Sequence, residues 1–291
     1  MAEPVRVTVH NDPGCPWGYS ATPALRVLEW RYGSQLDWRL VLIGLTEQAA
    51  EYVERGYTPL SMSTGYVEFR RFGMPFSTTP RERVVATGRA CRAVVASRTL
   101  EPGSEWRTFR ALQLAWFTST LLLDEDDAIH EVLRQADGID ADAVVSLLDD
   151  PRVEEAYRAD RAEARTAAGS PTELQGKAAE SNGVVRYTAP SVIVEADGMR
   201  LEAGGFQPVQ AYDVVTVNAA STLERADPPD DPAPLLERFE DGLTTQEVAT
   251  LLTRGNDEPD PQAAELALLE LAADGRARRS LLGDSALWTA V

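Results

Sequence analysis

The hydrophobic pattern of the first 45 residues fits few folds. Residues Val5 to Val9 alternate β-branched and polar side chains, which is typical of a half-buried strand. A turn-rich stretch follows, then apolar residues at helical spacing between Cys15 and Gly33, and then a nearly continuous apolar run from Leu36 to Leu45. A strand, a helix and a buried strand in this order predict a β-α-β unit.

Helical periodicity replaces this pattern between about residues 47 and 166. Prolines and glycines separate five predicted helices: Arg83–Arg98, Ser104–Leu123, Asp127–Gln135, Ala141–Leu148 and Val153–Thr166. Strand signals return at Ser191–Glu195 and Met199–Ala203, which predict a hairpin, and a last helix is predicted near Val209–Ala220. A β-α-β unit, an all-helical insertion and a ββα unit predict an α/β protein with a thioredoxin-like fold.

A proline- and acid-rich stretch at residues 227–233 predicts a linker between two domains, 1–226 and 234–291. In the second domain, Thr244 to Glu247 form a capping-box pattern at a helix start, another helix is predicted from Pro261, and the last residues predict a hairpin. Three helices and a β-ribbon predict a winged-helix-like module. Residues 228–291 hold 13 Asp or Glu and 5 Arg, so we expect protein docking or dimerisation rather than DNA binding.

The charge of the whole chain points the same way. It carries 46 acidic and 28 basic residues, a net charge of −18, which disfavours nucleic acids and anionic membranes as partners. No apolar run approaches the roughly 18–20 residues that span a bilayer. The start has neither a basic region nor a long apolar one, so we expect a cytoplasmic protein in which Cys15 and Cys91 are free thiols.

The candidate catalytic and substrate-binding residues lie between the first strand and the first helix, and before a later strand. Cys15 is expected at a helix N-terminus, where the macrodipole and free N–H groups stabilise the reactive thiolate. Pro190 precedes a strand, where a proline in a cis turn leaves backbone polar groups free to bind an extended substrate. His10 is either a base near Cys15 or structural, and Asp12 either tunes the cysteine or caps the turn.

These residues resemble the DsbA-like branch of the thioredoxin superfamily, especially its cytosolic FrnE-like and SpxH-like proteins. The resemblance covers roughly residues 5–220 and rests on three motifs: Asp12-x-x-Cys15-Pro16-Trp17, Arg70-Arg71-Phe72-Gly73-Met74-Pro75 and Ala189-Pro190-Ser191. It implies that Cys15 is the nucleophile, that Pro190 is a cis-proline facing it, and that Trp17 is a surface aromatic beside the thiol. The substrate-binding residues expected around them are His10, Asp12, Pro16, Trp17, Gly18, Tyr19 and Ala189.

One departure from the family pattern limits the chemistry. The usual Cys-x-x-Cys stands here as Cys15-Pro16-Trp17-Gly18, so a mixed disulfide on Cys15 has no neighbouring thiol to resolve it. Cys91, a partner protein or a small thiol such as glutathione or mycothiol would have to do so.

Three functions follow from this departure. We expect a monothiol oxidoreductase or isomerase that acts on a thiol or disulfide substrate, either a small molecule or a protein. It would hold no bound cofactor or metal and would use a small thiol as co-substrate. A non-catalytic adaptor and a redox-responsive regulator, each docking a protein through the thioredoxin-like groove and the winged-helix-like module, are the alternatives. Assembly as a homodimer stays open.

Overall fold

The computed structural model describes residues 4–181 and 183–291, so the first three residues of the predicted first domain lie outside it. Its first four elements are β1 (Val5–Asn11), α1 (Pro16–Ser20), α2 (Thr22–Tyr32) and β2 (Leu36–Leu42). Strands β1 and β2 are parallel, with Val5 opposite Leu36. Two helices replace the single predicted one, because Pro23 lacks the N–H that would bond the Tyr19 carbonyl.

The helical insertion contains seven helices: α3 (Ala49–Glu54), α4 (Pro59–Phe69), α5 (Gly88–Leu100), α6 (Ser104–Thr118), α7 (Asp126–Leu133), α8 (Ala141–Ser146) and α9 (Pro151–Ala164). Helices α3 and α4 were not predicted. Helix α5 begins at Gly88 rather than at Arg83, because the backbone before it bonds elsewhere: the Ala86 N–H donates to Asp124 and the Thr87 N–H to the Thr46 carbonyl. Helix α6 ends at Thr118 rather than at Leu123.

The chain then returns to the sheet through α10 (Pro171–Leu174), β3 (Ala179–Ser181), β4 (Val184–Arg186), β5 (Ser191–Ala196), β6 (Met199–Gly204) and α11 (Val209–Ala219). The central sheet has the order β2-β1-β5-β6, and β5 runs antiparallel to both of its neighbours. The predicted β5–β6 hairpin turns at Asp197 and Gly198, whose φ angles are 50° and 77°. The predicted thioredoxin-like fold with a helical insertion is confirmed.

Two apolar cores cover this sheet. Val7 and Val9 of β1 pack with α2 and α11, and Tyr212 closes this core from α11. Leu40 and Leu42 of β2 belong to a larger core built by the helical insertion. The start of α1 therefore lies at a sheet that is covered on both faces.

The C-terminal segment, residues 233–291, contains α12 (Ala233–Arg238), β7 (Leu243–Thr244), α13 (Thr245–Leu252), α14 (Pro261–Ala273), β8 (Ala277–Leu282) and β9 (Ser285–Ala290). Its antiparallel sheet has the order β7-β9-β8. Its core, centred on Trp288 and Leu268, also includes Val27 of α2. The predicted capping box is present, since the Thr244 hydroxyl accepts the Glu247 N–H at 3.2 Å.

The predicted linker lies against α2, where the Trp30 indole N–H donates to the Asp227 carbonyl at 2.9 Å. None of the helices in the described part of the chain is long and apolar enough to cross a membrane.

Candidate active site at the start of helix α1

Cys15 is the N-cap residue of α1, and Pro16 occupies the first turn. A tight turn presents the cysteine, because its N–H donates to the Asp12 carbonyl at 3.1 Å. Gly14 permits this turn to press against the insertion, since a Cβ at Gly14 would lie 2.9 Å from the Trp116 ring. The predicted position of Cys15 at a helix N-terminus is confirmed.

The loop before β5 completes the site from a distant part of the chain. The Ala189–Pro190 peptide bond is cis, as the resemblance implies. The Cys15 thiol donates to the Ala189 carbonyl, with Sγ and oxygen 3.3 Å apart. Sheet pairing explains this meeting, because Ser191 at the start of β5 lies opposite His10 near the end of β1.

The thiol itself is buried, with only 7% of Cys15 exposed. Burial raises the pKa of Cys15 to about 11, and the charge of Asp12 adds to the rise. The N–H groups of Gly18 and Trp17 and the charge of Arg186 act in the opposite direction but do not outweigh it. The expectation of a stabilised thiolate is therefore wrong, because the neutral thiol is the favoured form at pH 7. Cys15 belongs to a small apolar cluster with Val41, Ile43, Ala164 and Ala189.

Asp12 is fully buried and cannot touch a substrate, which corrects its expected role in substrate binding. Its carboxylate accepts the N–H groups of Gly14 at 2.9 Å and Leu45 at 2.8 Å, and the Thr87 hydroxyl at 3.0 Å. Burial raises the pKa of Asp12 against these hydrogen bonds. Asp12 has both of the roles considered, because it caps the turn and its charge also raises the pKa of Cys15.

His10 and Tyr19 are also wrong as substrate-binding residues, because each is 1% exposed. The His10 ring stacks on Tyr187 with centroids 4.4 Å apart, and burial lowers the pKa of His10 to about 4. A neutral, buried imidazole is not a base for substrate. The Tyr19 hydroxyl donates to the Pro75 carbonyl at 3.0 Å, and its ring stacks on Phe117 in the core.

Gly18, which stands at the position of a second cysteine, is buried against Asn11. A Cβ at Gly18 would overlap the Asn11 side-chain oxygen and lie 3.0 Å from its Cγ. That oxygen accepts the Asp12 N–H at 2.9 Å, so the side chain is held in place. The Asn11 carboxamide thus fills the space into which a resolving thiol would project.

Cys91, the other candidate for resolving a mixed disulfide, is fully buried in α5. Its Sγ lies 3.6 Å from an Asp12 carboxylate oxygen, and burial raises its pKa well above the usual range. A sulfur sealed in the core reaches a substrate mixed disulfide only if the core opens.

Trp17 is 41% exposed and forms the centre of an aromatic cluster beside the thiol. Its ring lies 4.8 Å from Phe69, 5.5 Å from Phe72 and 5.6 Å from Phe206. The Gly205 N–H, next to Phe206, donates to the Ser191 hydroxyl at 3.5 Å, which places the cluster next to the cis-proline loop. The sequence indicated only Trp17 and the motif containing Phe72, because Phe69 and Phe206 come from separate elements.

Within residues 4–181 and 183–291, no group of three or more His, Cys, Asp or Glu side chains could hold a metal ion. The chemistry that the site offers is that of one thiol, a backbone carbonyl and an apolar surface.

Residues 6–187 match the family described as a DSBA-like thioredoxin domain. The chain belongs to this family. Oxidoreductases of the DsbA-like family act on thiol or disulfide substrates and need no bound cofactor. Among curated proteins, none matches the chain.

Several solved structures of other proteins share the fold, including the following two. One, described as a putative protein disulfide isomerase from Nitrosomonas europaea, is 16% identical, with a TM-score of 0.55 over 73% of this chain and 96% of that one. The other, described as a probable DsbA oxidoreductase from Streptomyces coelicolor, is 16% identical, with a TM-score of 0.53 over 77% of this chain and 93% of that one. At this identity the similarity shows the fold alone.

Proposed function

We propose that this protein is a cytoplasmic monothiol oxidoreductase or isomerase that reduces or rearranges disulfides through Cys15. The observation that carries the proposal is the 3.3 Å contact between the Cys15 thiol and the Ala189 carbonyl beside cis-Pro190. An extended chain bound along this loop would bring its own sulfur next to Cys15. The exposed ring of Trp17 offers an apolar contact for side chains flanking that sulfur.

The proposed reaction has two steps. Cys15 loses its proton and attacks one sulfur of the substrate disulfide, so that a new S–S bond forms and the second substrate sulfur leaves and takes up a proton. A small thiol, glutathione or mycothiol, then attacks the substrate sulfur of the mixed disulfide. Cys15 leaves and regains a proton, and the small thiol and the substrate depart joined by a disulfide.

The raised pKa of Cys15 supports the reducing direction. A thiolate with a high pKa is scarce at pH 7, but it is a stronger nucleophile and a poorer leaving group than an ordinary one. A mixed disulfide on Cys15 therefore persists, whereas a sulfur with a low pKa is readily displaced. Because Gly18 offers no second sulfur, release waits for a thiol from outside the helix.

A second function, that of a non-catalytic adaptor, is favoured by the same burial of Cys15. In this version the aromatic cluster binds an extended peptide without turnover. Residues 234–291, which we propose to be a winged-helix-like module, would dock a second protein. The adaptor needs no ionisation of Cys15.

The two functions separate in a turnover assay with hydroxyethyl disulfide and glutathione as the small thiol. The matched variants are Cys15→Ser and, as a control for loss of a buried thiol, Cys91→Ser. We expect the wild type and Cys91→Ser to turn over and to show a thiol adduct on Cys15 by intact mass, and Cys15→Ser to do neither. Equal rates in the wild type and Cys15→Ser would leave the adaptor as the function.

The pH profile of iodoacetamide labelling tests the state of the thiol. We expect a midpoint near pH 11, since the pKa of Cys15 is raised to about 11. At pH 7 the ionised fraction is about 100-fold below that of an ordinary thiol, and higher nucleophilicity recovers about 10-fold, so labelling should be about 10-fold slower than for a cysteine peptide. Labelling faster than that of the peptide would show that the pKa of Cys15 is not raised.

A further inference from the structure

Residues 70–76, here called the bridging segment, lie between the aromatic cluster and the C-terminal segment. On the side of the site, the Phe72 ring lies 4.7 Å from Phe206 and 5.5 Å from Trp17. The Pro75 carbonyl accepts the hydroxyl of Tyr19, which lies two residues after Trp17 in α1. The bridging segment therefore supplies part of the surface that a substrate would meet beside Cys15.

On its other side, the bridging segment contacts the C-terminal segment at three places. The Arg70 guanidinium pairs with Asp284 in the β8–β9 turn at 2.6 Å. The Thr244 hydroxyl donates to the Met74 sulfur at 3.5 Å. The Gln246 side chain of α13 lies directly over Gly73, as described next.

Gly73 allows the closest of these contacts. Its φ angle is 84°, in the left-handed region that favours glycine. A Cβ at Gly73 would overlap the Gln246 side-chain oxygen and lie 2.8 Å from its Cγ. A larger residue at Gly73 would push the bridging segment away from α13.

Buried ion pairs fix the C-terminal segment on the rest of the molecule. Glu247 of α13 is fully buried and accepts two guanidinium N–H groups of Arg110 in α6, at 2.7 and 2.9 Å. Arg110 also donates to the Gly242 carbonyl at 2.5 Å, and Arg26 of α2 pairs with Asp241. Charges buried in this way are satisfied in only one relative placement, so α13 gives the bridging segment a fixed backing.

From these contacts we infer that the C-terminal segment positions the aromatic cluster around Trp17, which borders the substrate site. Asp284 is a positioning residue, which acts on substrate through Arg70 and then Phe72, and the Gln246 side chain sets how closely Gly73 approaches α13. This aromatic cluster favours substrates in which an aromatic or large aliphatic side chain flanks the disulfide. The inference rests on the site of the proposed function and concerns binding there, whether or not exchange follows.

The test compares two peptides that differ only beside their cysteine, one with Phe and one with Ala. Exchange rates with their disulfides and dissociation constants of their S-methylated forms are both measured. The wild type should prefer the Phe peptide. In Gly73→Ala this preference should fall about fivefold, because displacement of Phe72 lowers the rate and affinity for the Phe peptide more than those for the Ala peptide.

A second substitution distinguishes loss of positioning from strain at Gly73. Gln246→Ala removes the side chain that a Cβ at Gly73 would meet, so the double variant should regain most of the preference for Phe. Asp284→Ala should lower the preference by up to about threefold, since its ion pair is half-exposed, and Asp284→Glu should restore it. Asp274→Ala, an exposed acidic residue of the same segment, is the control.

An unchanged preference in Gly73→Ala, or an equal loss in Gly73→Ala and the double variant, would overturn the inference. The S-methylated peptides keep this result separate from the proposed chemistry. If they bind with the expected preference but their disulfides do not exchange, the positioning role stands and the monothiol function fails. If exchange proceeds with no preference in the wild type, the monothiol function stands and the positioning role fails.

Discussion

The start of α1 and the contact between α13 and α6 each bury an ionisable group, with opposite results. Burial would raise the pKa of both Cys15 and Glu247. At Cys15 it prevails, and the thiol stays neutral. Glu247 is fully buried, yet the charge and hydrogen bonds of Arg110 and the charge of Arg26 lower its pKa, and it stays ionised. The groups facing a buried atom, rather than burial alone, therefore decide its charge.

The nature of those groups explains the difference. Cys15 faces the N–H dipoles of two residues at a helix start, while the nearby Asp12 carboxylate opposes ionisation. Glu247 faces a guanidinium that donates two hydrogen bonds to it. A helix N-terminus contributes about half a charge, and in a desolvated site this is weaker than a full opposite charge in contact.

Loss of the Glu247 charge should have the largest effect on the free energy of unfolding. Glu247→Gln removes the carboxylate that accepts two N–H groups of buried Arg110 and leaves Asp241, 3.1 Å away, as its ion-pair partner, so the free energy of unfolding should fall by about 3 kcal/mol in urea titrations. Glu195→Gln, which removes a half-exposed ion pair with Arg200, is the control and should cost less than about 1 kcal/mol. A loss as small as the control's would mean that Arg110 does not depend on Glu247.

His10 is a third buried ionisable group, and neither of its ring nitrogens is hydrogen-bonded. Its pKa falls from 6.5 to about 4 on folding, so the unfolded chain takes up a proton first as the pH drops. Stability should therefore decrease between about pH 6.5 and pH 4, by about 3 kcal/mol from this residue.

His10→Phe keeps a ring against Tyr187 and removes the titration. Urea titrations at pH 7 and pH 4.5 should show a smaller difference in the variant than in the wild type. The same difference in both proteins would show that His10 does not resist protonation.

The smallest expected effect concerns the missing second thiol. Gly18→Cys forces a side chain against Asn11, which should lower stability by about 1–3 kcal/mol and leave the new thiol unpaired with Cys15. Adding Asn11→Gly clears the space, so in the double variant the introduced thiol should form a disulfide with Cys15 on mild oxidation, measured by intact mass and thiol titration. Asn11→Gly alone is the control. Equal oxidation of the single and double variants would show that Asn11 is no obstacle.

The parts of the fold that follow from local pattern were predictable. The β5–β6 hairpin follows from Asp197 and Gly198, and the start of α13 follows from its capping box. The short β3–β4 hairpin was not predicted, because its three-residue strands carry little periodic signal. Nor does the capping box reveal that Glu247 binds Arg110, which lies 137 residues earlier.

At the site, the sequence indicated which residues meet but not their electrostatics. Cys15 and Ala189 come together because the β-α-β and ββα units share one sheet. The direction of the Cys15 pKa depends instead on burial, in a cluster that includes Val41 of β2 and Ala164 of α9. The alternation in β1 does not show what covers the end of the strand, so the sequence left His10 as either a base or a structural residue and did not reveal its stacking on Tyr187.

The glycine at position 18 has a consequence for how such a site equilibrates with its surroundings. A dithiol that closes on itself releases two small thiols for each disulfide consumed, so its oxidation depends on how concentrated the thiol pool is. A lone sulfur exchanges one partner for another, and its occupancy follows only the ratio of disulfide to thiol. Diluting that pool at a constant ratio should leave the modified fraction of Cys15 unchanged. The site therefore responds to the ratio of disulfide to thiol and not to the total concentration of the pool.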